Sequence, residues 1–124
     1  MKRVIGLGGI FFKCKDLENT RTWYAKHLGI DVETWGAQFN FSSDPHPAAY
    51  SVLSFFKSGT DYFDPSSSPF MINFRVDDLE ALVSVLKEEG VELIGEPLVE
   101  EYGKFAWLLD PEGNKIELWE QPPA

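Results

Sequence analysis

The residue of this sequence best suited to chemistry is Glu117, in the short alternating stretch Lys115–Glu120 near the end of the chain. In an extended strand, Glu117 and Trp119 face one way while their apolar neighbours face the other. A carboxylate partly surrounded by apolar groups can serve as a general base near neutral pH, or as the counter-ion of a cationic ligand. An ion pair with Arg75 or Lys13 is the structural alternative, and the sequence leaves all three roles open.

Other candidate ligand-binding residues are polar or aromatic. In the stretch 70–76, Asn73 and Arg75 alternate with apolar side chains, and the fork of an arginine matches a carboxylate group. Aromatic side chains can stack on planar ligands and attract cations, although core packing or a dimer interface explains them equally well. The aromatic candidates are Phe11, Trp107, Trp119, Phe39 and Phe41.

An internal repeat tells how these residues are positioned. The stretch Ile10–Glu18 lines up with Ile72–Glu80, and both contain an apolar run followed by an acidic residue and leucine. By this alignment, Phe11 and Lys13 occupy the positions of Asn73 and Arg75 on the matching face of the first strand, so Lys13 is also a ligand-binding candidate. Such self-similarity indicates one supersecondary unit used twice. Two units that face each other form a cleft, where small molecules usually bind.

Each half predicts a β-α-β-β-β module. The first helix begins after the N-cap Asp16 and ends at Leu28, before Gly29; the second begins after Asp78 and ends near Gly90. The predicted strands are 5–14, 31–35, 38–42 and 50–56 in the first module, and 70–76, 91–94, 105–109 and 115–120 in the second. Module 1 spans 1–57, a linker rich in Ser, Gly and Pro spans 58–69, and module 2 spans 70–124.

Composition narrows the class of partner. The chain has 124 residues, of which 44% are hydrophobic, as expected of one folded domain. A net charge of −9 disfavours nucleic acid and anionic membranes as partners. Cys14 is the single cysteine, which excludes an internal disulfide and predicts a reducing, cytoplasmic location.

Three groups of motifs resemble the glyoxalase / bleomycin-resistance / extradiol-dioxygenase group, the vicinal oxygen chelate superfamily. They are Phe12–Leu17 with Trp23, Tyr24, Leu28 and Gly29; Phe74–Leu79; and Asp110–Leu118. The resemblance implies an α+β fold of two βαβββ modules, with curved mixed sheets around a shared cleft and helices outside. It also implies a homodimer, in some relatives with modules exchanged between chains.

The resemblance also implies a metal-ligand pattern, from which this chain departs. Metal-dependent members hold a divalent ion with a His or Gln from the first strand and a Glu from the last strand of each half. The matching first-strand positions are Gly9 and Met71, which are unsuitable ligands. Where the family carries a Glu in the last strand of the first half, this chain has only Ser51, Val52 or Leu53. Glu117 is therefore the only residue at a family ligand position, and one carboxylate cannot hold a catalytic metal.

Both histidines lie outside the predicted strands, although a site built from His46 with Asp44 or Glu117 is conceivable. We therefore expect no cofactor and disfavour a divalent metal. The expected function is metal-free binding of an apolar or aromatic small molecule. The acidic charge of the chain leaves open that this molecule is also cationic. The alternative is a metal-dependent or Glu117-based lyase, isomerase or dioxygenase of the same superfamily.

Overall fold

The computed structural model describes residues 1–124 and contains two α-helices and one four-stranded sheet. A short 3₁₀ turn is also present at Phe41–Ser43. In chain order the elements are α1 Leu17–Leu28, β1 Ile72–Arg75, α2 Leu79–Glu88, β2 Leu98–Glu100, β3 Gly103–Leu109 and β4 Lys115–Glu120.

Both helices begin at the predicted residues; α1 ends at Leu28 as predicted, and α2 ends at Glu88, two residues before Gly90. The Asp16 side chain accepts a hydrogen bond from the backbone N–H of Asn19 at 3.0 Å, and Asp78 caps α2 in the same way. Gly29 ends α1 in the left-handed conformation, with φ of 64°. Neither helix has the length and apolar content that crossing a bilayer requires.

The sheet has the order β1-β4-β3-β2, with β1 parallel to β4 and the remaining pairs antiparallel. The second half therefore forms the predicted βαβββ module. The second strand of this module lies later in the chain than predicted. Leu93 and Ile94 form only an isolated bridge and one backbone hydrogen bond with β3, and Gly95 then turns the backbone with φ of 69°. Pairing resumes at Leu98, so the strand predicted at 91–94 is replaced by β2.

The apolar face of the sheet packs against the helices, as the alternation predicts. Ile116 and Leu118 of β4 are fully buried there. Each buried leucine or isoleucine contributes about 1.5–3 kcal/mol to folding. The opposite face of β4 carries Glu117 and Trp119. The core cluster comprises Tyr24, Leu79, Val83, Leu86, Ala106, Leu108, Ile116 and Leu118.

The first half differs from the prediction in its strands. The segments 5–14, 31–35, 38–42 and 50–56 contain no strand, and their backbones form no ladder with any other segment. A strand needs a neighbour for its N–H and C=O groups, and no other segment pairs its backbone with these stretches. Phe12 and Val32 pack against the core, but many apolar side chains of these segments are exposed, including Phe11 at 96% and Phe55 at 89%. The α+β class itself is confirmed.

Candidate ligand-binding site

Glu117 lies at the centre of the sheet face that points away from the helices. It is paired in register with Asn73 of β1 on one side and with Trp107 of β3 on the other. Asn73 Nδ2 donates to Glu117 Oε1 at 2.8 Å, and Trp107 Nε1 donates to Oε2 at 2.8 Å. The carboxylate is thus fixed by the side chains directly opposite it on both neighbouring strands.

A third donor comes from the linker. The hydroxyl of Tyr62 donates to Glu117 Oε2 at 2.5 Å, and the Tyr62 carbonyl accepts from Lys115 Nζ at 2.6 Å. The same ammonium lies 5.3 Å from the centre of the Tyr62 ring and 5.8 Å from that of Trp107. The linker is therefore fastened across the Glu117 face by two side chains of β4.

The charges around Glu117 are partly removed from water. Burial lowers the pKa of Lys115, while the nearby carboxylate of Glu117 acts in the opposite direction. Burial raises the pKa of the Tyr62 hydroxyl, and its hydrogen bond to Glu117 raises it further. Tyr62 therefore stays a neutral donor. Glu117 Oε1 accepts one hydrogen bond and Oε2 accepts two. A carboxylate can accept about four, so this fixed side chain can accept one more from a ligand.

Aromatic rings extend the surface beyond Glu117. The ring of Phe105 lies nearly parallel to that of Trp107, with centroids 6.3 Å apart, and to that of Trp119, at 6.4 Å. Tyr50 packs edge-on against Trp119, and Tyr102 packs edge-on against Phe105. The result is a row of three parallel rings beside a buried carboxylate, in which Phe105 and Trp119 are buried and Trp107 is partly exposed. A partly exposed indole beside a carboxylate suits a planar ligand.

Arg75 pairs with an acidic residue of the protein itself and is not free for a ligand. Its guanidinium forms an ion pair with Asp44, and this contact, followed by the backbone N–H of His46, holds the pKa of the Asp44 carboxyl below its usual range. The His46 ring contacts the Pro122 carbonyl at 2.7 Å. Neither Arg75 nor His46 is among the hydrogen-bond partners of Glu117, so the ion pair with Arg75 considered for Glu117 does not form.

The structure brings together some predicted site residues and leaves others apart. Asn73 and Trp107 bind Glu117, and Trp119 joins the same face through Phe105. Phe11 and Lys13 remain on the surface, away from Glu117, because the strand expected to carry them is not formed.

Two other aromatic candidates also lie apart from Glu117, and one contact residue was not predicted. Phe39 has its ring 6.4 Å from that of Phe74 but is mostly exposed, and Phe41 is exposed as well. Sequence reasoning missed Tyr62; its signal was the pair of aromatic residues Tyr62 and Phe63 inside a linker otherwise rich in Ser, Gly and Pro.

The residues present do not fit a divalent metal. No group of three or more His, Cys, Asp or Glu side chains comes together in a geometry that could hold an ion. His27 pairs with Glu89 and His46 with the backbone of Pro122, and neither histidine contacts Glu117. A catalytic zinc usually takes three protein ligands, which Glu117 and its neutral donors do not supply.

The comparison with protein families agrees with this fold. The model of the Glyoxalase/Bleomycin resistance protein/Dioxygenase superfamily matches residues 6–118. The chain belongs to this superfamily. The match extends over both halves, so the segments without strands in the first half are part of the superfamily domain. A comparison with curated proteins gave no match.

Solved structures show the same glyoxalase-superfamily fold. A protein from the mobile metagenome of V. Pseudocholerae is 18% identical with a TM-score of 0.61, and 97% of each chain is covered. A superfamily member from Sphaerobacter thermophilus DSM 20745 is 22% identical, with a TM-score of 0.53 and coverage of 87% and 90%. TnmS3, an antibiotic binding protein from Streptomyces sp. CB03234, is 24% identical, with a TM-score of 0.55 and coverage of 87% and 88%.

Proposed function

We propose that this member of the glyoxalase superfamily binds an apolar or aromatic small molecule on the face of Glu117, without a metal ion. The observation that carries the proposal is the Glu117 carboxylate, held by Tyr62, Asn73 and Trp107 beside a row of parallel aromatic rings. A fixed acceptor next to aromatic surface is the arrangement expected of a binding site, in which few polar groups orient a mostly apolar ligand.

The chemistry of this face favours a planar ligand that carries an N–H group or a positive charge. Glu117 offers a remaining acceptor position to such a group, and the partly exposed rings of Tyr62 and Trp107 offer stacking. Lys115 illustrates the affinity of these two rings for a cation, since its ammonium lies over both of them. The net charge of −9 would also draw a cationic ligand toward the protein.

Two further observations support binding without a metal ion. The side chains around Glu117 are neutral donors rather than the His, Cys, Asp or Glu that a divalent ion requires. In addition, TnmS3, an antibiotic binding protein, is among the solved structures similar to this chain. We infer that the chain sequesters its ligand.

A ligand screen by thermal shift tests this proposal. We expect planar cations such as 9-aminoacridine to raise the melting temperature more than 2-naphthoate, a planar anion. Glu117→Gln should lower the affinity for the cation about tenfold, because a charge-assisted hydrogen bond contributes about 1.5–3 kcal/mol. Glu101→Gln removes an exposed acid outside this face and serves as the matched control. Equal affinity in the two variants would contradict the assignment of the site.

An enzymatic function is the second candidate, favoured by the place of Glu117 on the last strand, where the superfamily's metal-dependent members carry a ligand. Elemental analysis of protein purified without chelator separates the two. Stoichiometric Zn, Ni, Mn or Fe that is lost in Glu117→Gln would establish a metal site at Glu117 and favour the metal-dependent reaction. A metal-free enzyme using Glu117 as base would instead convert substrate in the wild type and not in Glu117→Gln.

We further propose that a second copy of this chain covers the first half. Val4, Ile5, Phe11, Leu53 and Phe55 are large apolar side chains that are all mostly exposed in the single chain. Strand β1 lies at the edge of the sheet, so its outer backbone groups are free to pair with another strand. Exposed apolar surface on this scale marks an interaction site.

Sedimentation equilibrium tests the dimer. The wild type should sediment as a dimer at micromolar concentration, and Phe11→Asp with Phe55→Asp should shift it toward monomer. Glu18→Asp and Lys26→Arg change exposed residues of α1 and form the matched control. A wild type that sediments as a monomer at all concentrations would contradict the proposal, whatever the ligand screen shows.

A further inference from the structure

A separate open cavity of about 440 Å³ lies at the end of the sheet where β3 finishes. It is placed where the C-terminal ends of α1 and α2 approach Leu109 of β3, and none of its lining residues contacts Glu117. Its walls include Trp23, His27, Glu89, Glu92, Ile94 and Leu109. The volume lies within the range of about 300–1,000 Å³ that is typical of small-molecule sites.

The wall combines aromatic, acidic and apolar groups. The rings of Trp23 and His27 lie 5.4 Å apart at an angle of 59°. Glu89 Oε1 contacts His27 Nδ1 at 2.9 Å, and the second oxygen of Glu89 has no hydrogen-bond partner. Ile94 and Leu109 supply the apolar part of the wall.

Two helix ends add negative potential to the cavity. α1 ends at Leu28 and α2 at Glu88, so the carbonyl ends of both helices lie next to the lining residues His27 and Glu89. Each helix C-terminus carries about half a negative charge, which favours a cation within the last turn. Two groups carry or can carry a positive charge that opposes cation binding. They are the His27 ring, when protonated, and Lys87, which lines an adjoining cavity of about 380 Å³.

We propose that this cavity is a second binding site, for an organic cation with a flat apolar body such as an aromatic ammonium compound. The charged group contacts the free oxygen of Glu89, and the ring lies against Trp23 over Ile94 and Leu109. Carboxylate and aromatic ring act together here, because a cation over an indole face is attracted electrostatically as well as by dispersion. The site shares no residue with the Glu117 face.

A nuclear magnetic resonance titration with benzyltrimethylammonium tests the proposal, since it reports each site separately. We expect saturable shifts of the Trp23 indole N–H and of the backbone amides of 89–94, with the same affinity in Glu117→Gln. Benzyl alcohol, which has a similar ring without the charge, should bind at least about fivefold more weakly, the factor that a cation–π contact of about 1 kcal/mol produces.

Two variants with matched controls complete the experiment. Glu89→Gln and Trp23→Leu should each weaken binding at least about fivefold, whereas Glu101→Gln and Trp35→Leu, at exposed positions outside the cavity, should not. If Trp23→Leu does not fold, Glu89→Gln decides the result alone. Shifts confined to Trp107 and Trp119, equal binding of benzyl alcohol, or unchanged affinity in folded Glu89→Gln would each overturn the proposal.

Discussion

The hydroxyl of Tyr24 in α1 donates a 2.6 Å hydrogen bond to the carboxylate of Asp110, in the turn between β3 and β4. Asp110 is 5% exposed and also accepts from the backbone N–H groups of Glu112 and Asn114, both at 2.9 Å. The Glu112 carboxylate in turn accepts from the N–H groups that precede α1. This single turn therefore fastens the first helix to the sheet of the second half.

Removing the Tyr24 hydroxyl should destabilise the fold without emptying the core. Tyr24→Phe keeps the ring in the cluster but deprives a buried carboxylate of one donor, so we expect the free energy of unfolding to fall by about 1–3 kcal/mol. Urea denaturation followed by circular dichroism measures the change. Tyr50→Phe, whose half-exposed hydroxyl has no hydrogen-bond partner, should change stability by less than about 0.5 kcal/mol. Equal losses in the two variants would refute the role of Asp110.

Tyr24, which is buried, and Tyr62, which is 39% exposed, should make the protein sensitive to alkali. Burial and a carboxylate neighbour raise the pKa of both Tyr24 and Tyr62 above the ordinary value. A raised pKa means that the folded state prefers the neutral phenol. This stability is fully present below the ordinary tyrosine pKa of about 10 and is lost as the pH rises above it.

Urea midpoints at pH 8 and pH 11 test this expectation. The wild type should lose stability between the two values, and Tyr24→Phe combined with Tyr62→Phe should lose clearly less, because phenylalanine does not ionise. The exposed pair Tyr50→Phe and Tyr102→Phe is the control, and it should keep the wild-type pH dependence. If the double variant loses as much stability between pH 8 and pH 11 as the wild type does, groups other than these two tyrosines cause the loss.

The ion pair between Asp44 and Arg75 predicts an acid dependence of opposite sign. The pKa of Asp44 is held low in the folded state, so its contribution is present above the ordinary aspartate pKa of about 4 and is lost as the pH falls below it. Asp44→Asn should be less stable than the wild type at pH 6, and the difference should shrink toward pH 2. Asp31→Asn, at an exposed position without a salt bridge, should show no such convergence.

Local signals in the sequence predicted both helices and the last strand well. The N-caps Asp16 and Asp78, the left-handed Gly29 and the alternation in β4 are each set by a few neighbouring residues, and all are confirmed. The alternation also placed Glu117 on the face opposite the core. Its hydrogen bonds to Asn73 and Trp107 follow from strand register, which sequence alone does not fix.

What the sequence did not predict depends on distant partners. The first-half segments have strand-like composition, but a strand exists only where another backbone lies beside it. Tyr62 escaped notice for a related reason, since its contact with Glu117 spans 55 residues and begins in a linker. The pairing of Arg75 with Asp44 likewise joins a strand to a loop whose path the sequence does not determine.

Gly103 allows close approach between the start of β3 and the end of β4. Its φ is +138°, a conformation that residues with a Cβ rarely adopt, and an added Cβ would collide with the Trp119 indole nitrogen and lie 2.6 Å from the Glu120 carbonyl oxygen. Gly103→Ala must therefore displace both the backbone and the indole that donates to Tyr102. We expect a loss of about 2–4 kcal/mol in the free energy of unfolding.

The same substitution should disturb the row of aromatic rings, because Trp119 stacks on Phe105. The folded fraction of Gly103→Ala should therefore bind a planar cation more weakly than the wild type, as measured by isothermal titration at low temperature. Gly59→Ala, where an added Cβ meets no atom within 4 Å, should keep both stability and affinity. Wild-type affinity in Gly103→Ala would mean that the ligand does not contact the Trp119 end of the Glu117 face.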